Sequence, residues 1–148
     1  MEIRRASAAD MPSIFNMVDR VFYGEQRIPR ELHPIPECKD PQWWCAEQDG
    51  EIIGRVVMYR EADGWHMGRM AVTEALRGRH LGTKLLRFAL KDAFGSGVEE
   101  IRFEARDTTV HILKKFGAVI TGEPFLFYEG TVTQGFLKRE DFRDSVDL

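Results

Sequence analysis

The sequence predicts a single α/β domain with a mixed, mostly antiparallel central sheet flanked by helices. Three observations carry this reading. Residues 43–72 read as consecutive strands joined by two Asp-Gly turns, Asp49-Gly50 and Asp63-Gly64. After residue 72, helical and strand patterns alternate, which places crossover helices on the sheet. No linker, repeat or low-complexity stretch divides the 148 residues, enough for one core and too few for two.

Residues 2–6 suit a short first strand. Ser7 then opens a helix as a capping box, with Asp10 at the position where Glu is usual. Met11, Ile14, Phe15, Val18, Val21 and Phe22 recur at helical spacing as one apolar stripe, and the helix ends by Gly24. Pro29, Pro34, Pro36 and Pro41 break regular structure between residues 23 and 41, the composition of a binding loop on a rigid scaffold. Trp43–Gln48, Glu51–Arg60 and Trp65–Val72 follow as strands, the second rich in Ile and Val. In the Trp43-Trp44 pair, alternation sends one ring inward and the other outward.

Leu81, Leu85, Leu86, Ala89, Leu90 and Phe94 mark the next helix, stopped at Gly95-Ser96-Gly97. Glu99–Ala105 is a strand and Val110–Phe116 a short helix ended by Gly117. Ala118–Gly122 and two segments flanking Glu129-Gly130 close the sheet. Both late helices are expected to cross between neighbouring strands.

Composition excludes several function classes. Hydrophobic residues make up 43% and charged residues 30%, with a net charge of −3 and the two signs interleaved. Nucleic-acid binding needs a basic surface to neutralise phosphates, so none is expected. No apolar run approaches a bilayer span, and the first residues lack a signal-peptide layout, so no membrane partner and a cytoplasmic location are expected. Cys38 and Cys45 are the only cysteines and are expected reduced, with no metal site.

The segment Met70–Thr83 carries the chemistry. A glycine-containing loop with basic residues at a helix start is an anion site, because unpaired backbone N–H groups and the helix dipole converge there. Gly78 and Gly82 permit close backbone approach, while Arg77, Arg79 and Lys84 add positive charge. The spacing matches neither the nucleoside-triphosphate loop nor the dinucleotide loop.

Arg77-Gly78-Arg79-His80-Leu81-Gly82 resembles the pyrophosphate loop of the GNAT superfamily of N-acetyltransferases, Arg/Gln-x-x-Gly-x-Gly/Ala, with His80 where the first motif glycine lies. If that position needs positive φ, His adopts it at some cost. Gly68-Arg69-Met70-Ala71-Val72, Phe22–Pro29 and Gly122–Phe125 resemble a small bacterial stand-alone branch of that superfamily.

The resemblance implies the GNAT fold and acetyl-CoA as co-substrate, held by Met70, Ala71, Val72, Arg77, Gly78, Arg79, His80, Leu81, Gly82 and Thr83. It implies attack of a small-molecule or peptide amine on the thioester, through a tetrahedral intermediate held by the backbone N–H near Val72. The Met70–Val72 strand should splay from residues 103–106, and the pantetheine should pair along that edge.

A lysine-like amine has a pKa near 10.4, so a base should assist. Candidates are Glu25, Glu104, His66 and His111. Glu25 suits a cap or salt bridge equally, and the histidines suit ordinary surface positions. The family places a tyrosine at position 113 as proton donor to the thiolate, where this chain has leucine; the thiolate then leaves unprotonated or takes its proton from Tyr128 or water, and Tyr128 suits strand packing equally. Leu113 is accordingly expected to point at the cofactor sulfur, the opposing reading being that it packs in the core. A homodimer is possible, with the outward tryptophan in its interface. The alternative function is a non-catalytic acyl-CoA-binding module of the same fold.

Overall fold

The computed structural model describes residues 1–29, 35–73, 77 and 80–144. Its elements are β1 (Glu2–Arg5), α1 (Met11–Val18), β2 (Gln42–Gln48), β3 (Glu51–Glu61), β4 (Gly64–Val72), α2 (Leu81–Gly95), β5 (Glu100–Arg106), α3 (Asp107–Lys115), β6 (Val119–Ile120), β7 (Phe125–Phe127) and β8 (Gly130–Lys138). All eight strands form one sheet in the order β1-β2-β3-β4-β5-β8-β6, with β7 also on β8. Every pairing is antiparallel except β4 with β5. Parallel neighbours need a crossover, and α2 provides it.

The Asp49-Gly50 expectation holds for a local reason, while the second turn falls on Ala62-Asp63, with Gly64 at φ 125° already opening β4. Asp49 and Gly50 both take positive φ, 52° and 81°, the twist that a two-residue hairpin turn requires. Ser7 and Asp10 form the capping box: the Ser7 N–H donates to Asp10 Oδ2 at 2.7 Å, and Arg4 forks onto both carboxylate oxygens at 2.7 and 2.9 Å. Arg4 also reaches Glu47 at 2.9 Å, so the helix entrance is tied to β1 and β2.

Helices cover both faces of the sheet. On one face α2 and α3 bury Leu85, Leu86, Leu90, Val110, Leu113 and Phe116 against Trp44, Met58, Ile101 and Leu137. A Cβ on Gly54 would meet Leu85 Cδ2 at 3.3 Å, so the bare backbone of β3 lets α2 approach closely. On the other face α1 lays Ile14, Met17 and Val18 on Trp43, Cys45 and Val57. Among the described residues, no helix is long and apolar enough to cross a membrane.

Five further expectations change. α1 does not end by Gly24; it continues as a π-helical segment over Asp19–Glu25, in which the Gln26 N–H reaches back to the Val21 carbonyl. Phe15 lies at the margin of the stripe, 51% exposed and edge-on to Trp43, while Met17 takes the buried place. Neither tryptophan faces solvent, because the sheet is covered on both sides. Trp44 donates its indole N–H to Asp92 at 2.8 Å on one face, and Trp43 packs under α1 on the other. α3 starts at Asp107, since the polar first turn Asp107-Thr108-Thr109 has no apolar periodicity to announce it. Only α2 joins neighbouring strands: β8 stands between β5 and β6, so α3 spans it.

The Arg4 guanidinium, followed by the Ser7 N–H, holds the Asp10 carboxyl well below the usual carboxylate range. Asp10→Asn should lower stability by about 1–2 kcal/mol at pH 7. A folded-state pKa below the unfolded value of about 3.9 stabilises fully above that pH and loses the effect on acidification. The difference in melting temperature between the two proteins should therefore shrink below about pH 4. A difference constant down to pH 2 would refute the assignment.

Candidate functional site

The site begins with one surplus residue in β4. Val57 pairs with Gly68 and Arg55 with Ala71, so Val56 alone faces both Arg69 and Met70. Arg69 takes φ 52°, the left-handed conformation that lets a strand absorb the extra residue and bend. β4 stays paired with β5 only from Trp65↔Ile101 to Met67↔Phe103. Beyond that point the two strands part, as expected for residues 70–72 and 103–106.

A cavity of about 520 Å³ lies against this opening, bounded by Phe22, Ile28, Tyr59, Arg69, Met70 and Phe127, among others. Alternation along β5 decides what faces it. Ile101, Phe103 and Ala105 go into the α2-side core, which leaves Glu104 and Arg106 on the cavity side, and both line it.

At the far end of β4 the backbone is committed on one edge. The Thr73 N–H donates to the Ile53 carbonyl, so Val72, one residue back, points its N–H and C=O away from β3 and into the opening. Arg77 Nε donates to that Val72 carbonyl at 2.9 Å. Its other two nitrogens fork onto Glu25 at 2.9 and 3.1 Å, at the end of the π-helical segment.

His80 does adopt the left-handed region, φ 60° and ψ 14°, as the cap of α2. The first bond onto its carbonyl comes from Lys84 at 3.1 Å, which leaves the Leu81, Gly82 and Thr83 N–H groups without intrahelical acceptors. Leu81 is packed with Ala46, Ile53 and Val72, and this fixes the helix start against the sheet. A Cβ on Gly82 would meet Met70 Cε at 3.2 Å and Ile112 Cδ1 at 3.6 Å, so the approach to these N–H groups is narrow. Gly78 and Arg79 lie outside the described residues.

The structure divides the proton-transfer candidates. Glu104 lines the cavity and accepts from Gln134 Nε2 at 3.1 Å. His66 also lines it, 2.6 Å from Asp63 Oδ1 and stacked on Tyr59 with centroids 5.8 Å apart. The hydrogen bond with His66 lowers the Asp63 carboxyl, and burial raises the Tyr59 phenol. Glu25 is outside the cavity, occupied by Arg77. Tyr128 is exposed on the β7–β8 turn, where it takes φ 56°; its neighbour Phe127 is the residue that lines the cavity. His111 is exposed on α3.

Arg69, Arg106, Tyr59 and Thr109 line the cavity without having been singled out in the sequence. Arg106 was accessible to strand alternation, two residues beyond Glu104. Arg69 gave no such signal, because the bulge that turns it is set by pairing with β3. Cys38 is exposed and Cys45 buried, both free thiols, and burial pushes the Cys45 thiol up to about 11.

The profile of the Acetyltransferase (GNAT) family matches residues 11–118. Escherichia coli ElaA superposes with a TM-score of 0.77 at 16% identity, covering 91% of this chain and 99% of that one. An acyl-CoA N-acyltransferase from Pseudomonas aeruginosa gives 0.75 at 18%, covering 92% and 99%. An aminoglycoside 6'-N-acetyltransferase complexed with coenzyme A gives 0.71 at 12%, covering 93% and 97%. No curated protein sequence matches.

Leu113 does not point into the opening. It is 1% exposed and packs in the α2-side core, while Thr109, one turn earlier, is the α3 residue on the cavity. Leu113→Tyr should therefore overpack that core and cost about 1–3 kcal/mol, without raising any turnover. A Tyr variant of unchanged melting temperature would show that position 113 has open space in front of it.

Proposed function

The chain belongs to the GNAT acetyltransferase family, and from that premise we propose that it transfers the acetyl group of acetyl-CoA to an amine acceptor by direct attack. One observation carries the proposal: β4 and β5 part beyond Met67 and Phe103 beside a cavity, next to a helix start whose first N–H groups have no intrahelical acceptor. The neighbour complexed with coenzyme A supports the choice of co-substrate.

Acetyl-CoA supplies an activated thioester carbonyl. The Leu81, Gly82 and Thr83 N–H groups receive the pyrophosphate, with His80 turning the chain so that they converge. Gly78 and Arg79 are assigned to the same loop. Arg77 is a positioning residue, since its nitrogens are held by Val72 and Glu25. Met70 and Ala71 form the wall along which the pantetheine lies. The Val72 N–H stabilises negative charge developing on the thioester oxygen, a donor already oriented before reaction.

The cavity on the α1 face receives the acceptor. Glu104 is the base, because it stands where the strands begin to part and its neighbour Gln134 donates to one carboxylate oxygen. It takes the proton that the ammonium must lose before nitrogen attacks carbon. Tyr128 is exposed and outside the cavity lining, so water is assigned as the proton donor to the leaving thiolate.

Acetyl-CoA at a hundred times its dissociation constant should stabilise the protein by about 2.7 kcal/mol, read as a higher melting temperature. Gly82→Val should abolish most of that shift by crowding Met70 and the helix start. The same shift without any thiol release across an amine library would favour a binding module over an enzyme. Glu104→Gln should lower turnover about a hundredfold or more with the CoA-induced shift intact. If that variant is unimpaired and His66→Gln is inactive, the base is the His66–Asp63 pair.

A further inference from the structure

Two guanidiniums on the cavity side of the sheet, those of Arg106 and Arg55, have buried nitrogens without hydrogen-bond partners among the described residues. Arg106 Nε donates to Gln26 Oε1 at 3.1 Å and its Nη1 to the Phe127 carbonyl at 2.9 Å, both neutral acceptors. Its Nη2 is buried and has no hydrogen-bond partner among the described residues. Arg55, on β3, is fully buried, and none of its three guanidinium nitrogens has such a partner. The Arg55 and Arg69 guanidiniums both lie over the Phe22 ring, at 5.1 and 5.4 Å, and Phe22 is a wall of the cavity.

The carboxylates of the cavity bond elsewhere. Glu61 is held by Lys39 at 2.6 Å, Asp63 by His66 at 2.6 Å, and Glu104 by Gln134 at 3.1 Å. Just beyond, Asp107 accepts from the Thr131 hydroxyl at 3.3 Å, and its charge offsets only part of the effect of burial on Arg106. A guanidinium taken out of water without an anion is unfavourable, and an anion brought to it recovers much of that penalty. Burial lowers the Arg106 guanidinium; burial and then the Arg69 charge lower Arg55 to about 9.

We propose that the acceptor amine carries a carboxylate, bound by Arg106 at the Phe22–Phe127 end of the cavity, with the Arg55 charge behind the Phe22 wall reinforcing it. This rests on the reading of the cavity as the acceptor site of an acetyltransferase. Glu104 and Arg106 alternate on one face of β5, about 7 Å apart along the strand. That span suits a compact amino acid, its ammonium toward Glu104 and its carboxylate toward Arg106, each joined by one hydrogen bond. The same order places the attacking nitrogen nearer the point where β4 and β5 part.

The test compares free amino acids with the matching amino-acid amides as acceptors, following thiol release from acetyl-CoA. The amides keep the amine and lose the negative charge. At pH 7 their less basic amine is neutral more often than that of the free acids, so a preference for the free acids cannot come from a larger supply of neutral amine. The free acids should show kcat/KM at least tenfold higher. Arg106→Gln should erase that preference through KM, and Arg106→Lys should restore part of it. Arg55→Met, which keeps the core filled, should weaken the preference if Arg106→Gln fails to fold. Independently of turnover, N-acetylated amino acids should raise the melting temperature of the CoA-bound protein and their amides should not. Amides as good as the acids, or release with other amines but with neither set, would overturn the carboxylate assignment, whereas a CoA-induced shift with no release from any amine would overturn the enzyme reading. No CoA-induced shift at all would overturn the acetyltransferase reading, and this inference with it.

Discussion

The surplus residue of β4 opposite Val56 is the constraint from which the site follows. A regular ladder would carry β4 alongside β5 to the end of both strands and leave no opening. With Arg69 in the left-handed region, pairing to β3 is kept on both sides of the bulge, at Gly68 and at Ala71, while β4 swings away from β5. The edge facing the opening then has backbone groups that no strand satisfies, and the Val72 carbonyl meets Arg77 instead. Everything proposed for the thioester depends on that released edge.

Around the opening, each element is held by contacts at its far side. Asp92 on α2 accepts from the Trp44 indole and from Arg5, whose guanidinium lies 5.0 Å from the Trp44 ring. α2 is thus fixed to β1 and β2, on the side of the sheet away from β5. β8 closes the other side: Gly135 lies opposite Phe103, and a Cβ there would strike both that ring and the Val119 carbonyl oxygen. A well-packed core on the α2 face leaves Arg55, Glu104 and Arg106 to the α1 face. A buried cation such as Arg55, with no hydrogen-bond partner among the described residues, weakens stability rather than adds to it.

The short-range features were readable from the chain. Asp49-Gly50 specifies a turn through the φ values its two residues tolerate, Ser7 and Asp10 satisfy helix N–H groups within one turn, and the Leu81–Phe94 periodicity marks a buried face. His80 in place of glycine pointed to positive φ because helix, loop and motif all lie within a few residues. The Glu104 and Arg106 side follows from strand alternation once the strand is recognised.

What tertiary structure alone decided is every property that depends on a partner distant in sequence. Arg77 and Glu25 are fifty-two positions apart, so the fork between them could not be read from either segment. Trp43 and Trp44 both became buried because helices from two parts of the chain cover opposite faces. Leu113 turned into the core through the docking of α3, which helical periodicity does not specify. The bulge at Arg69 exists only as a mismatch of register between β3 and β4. Turn chemistry and periodicity act over a few residues, and the sequence alone determined the order of the elements though not all of their ends. Register and docking minimise the free energy of the whole packed chain, and they alone determined which of those residues meet at the site.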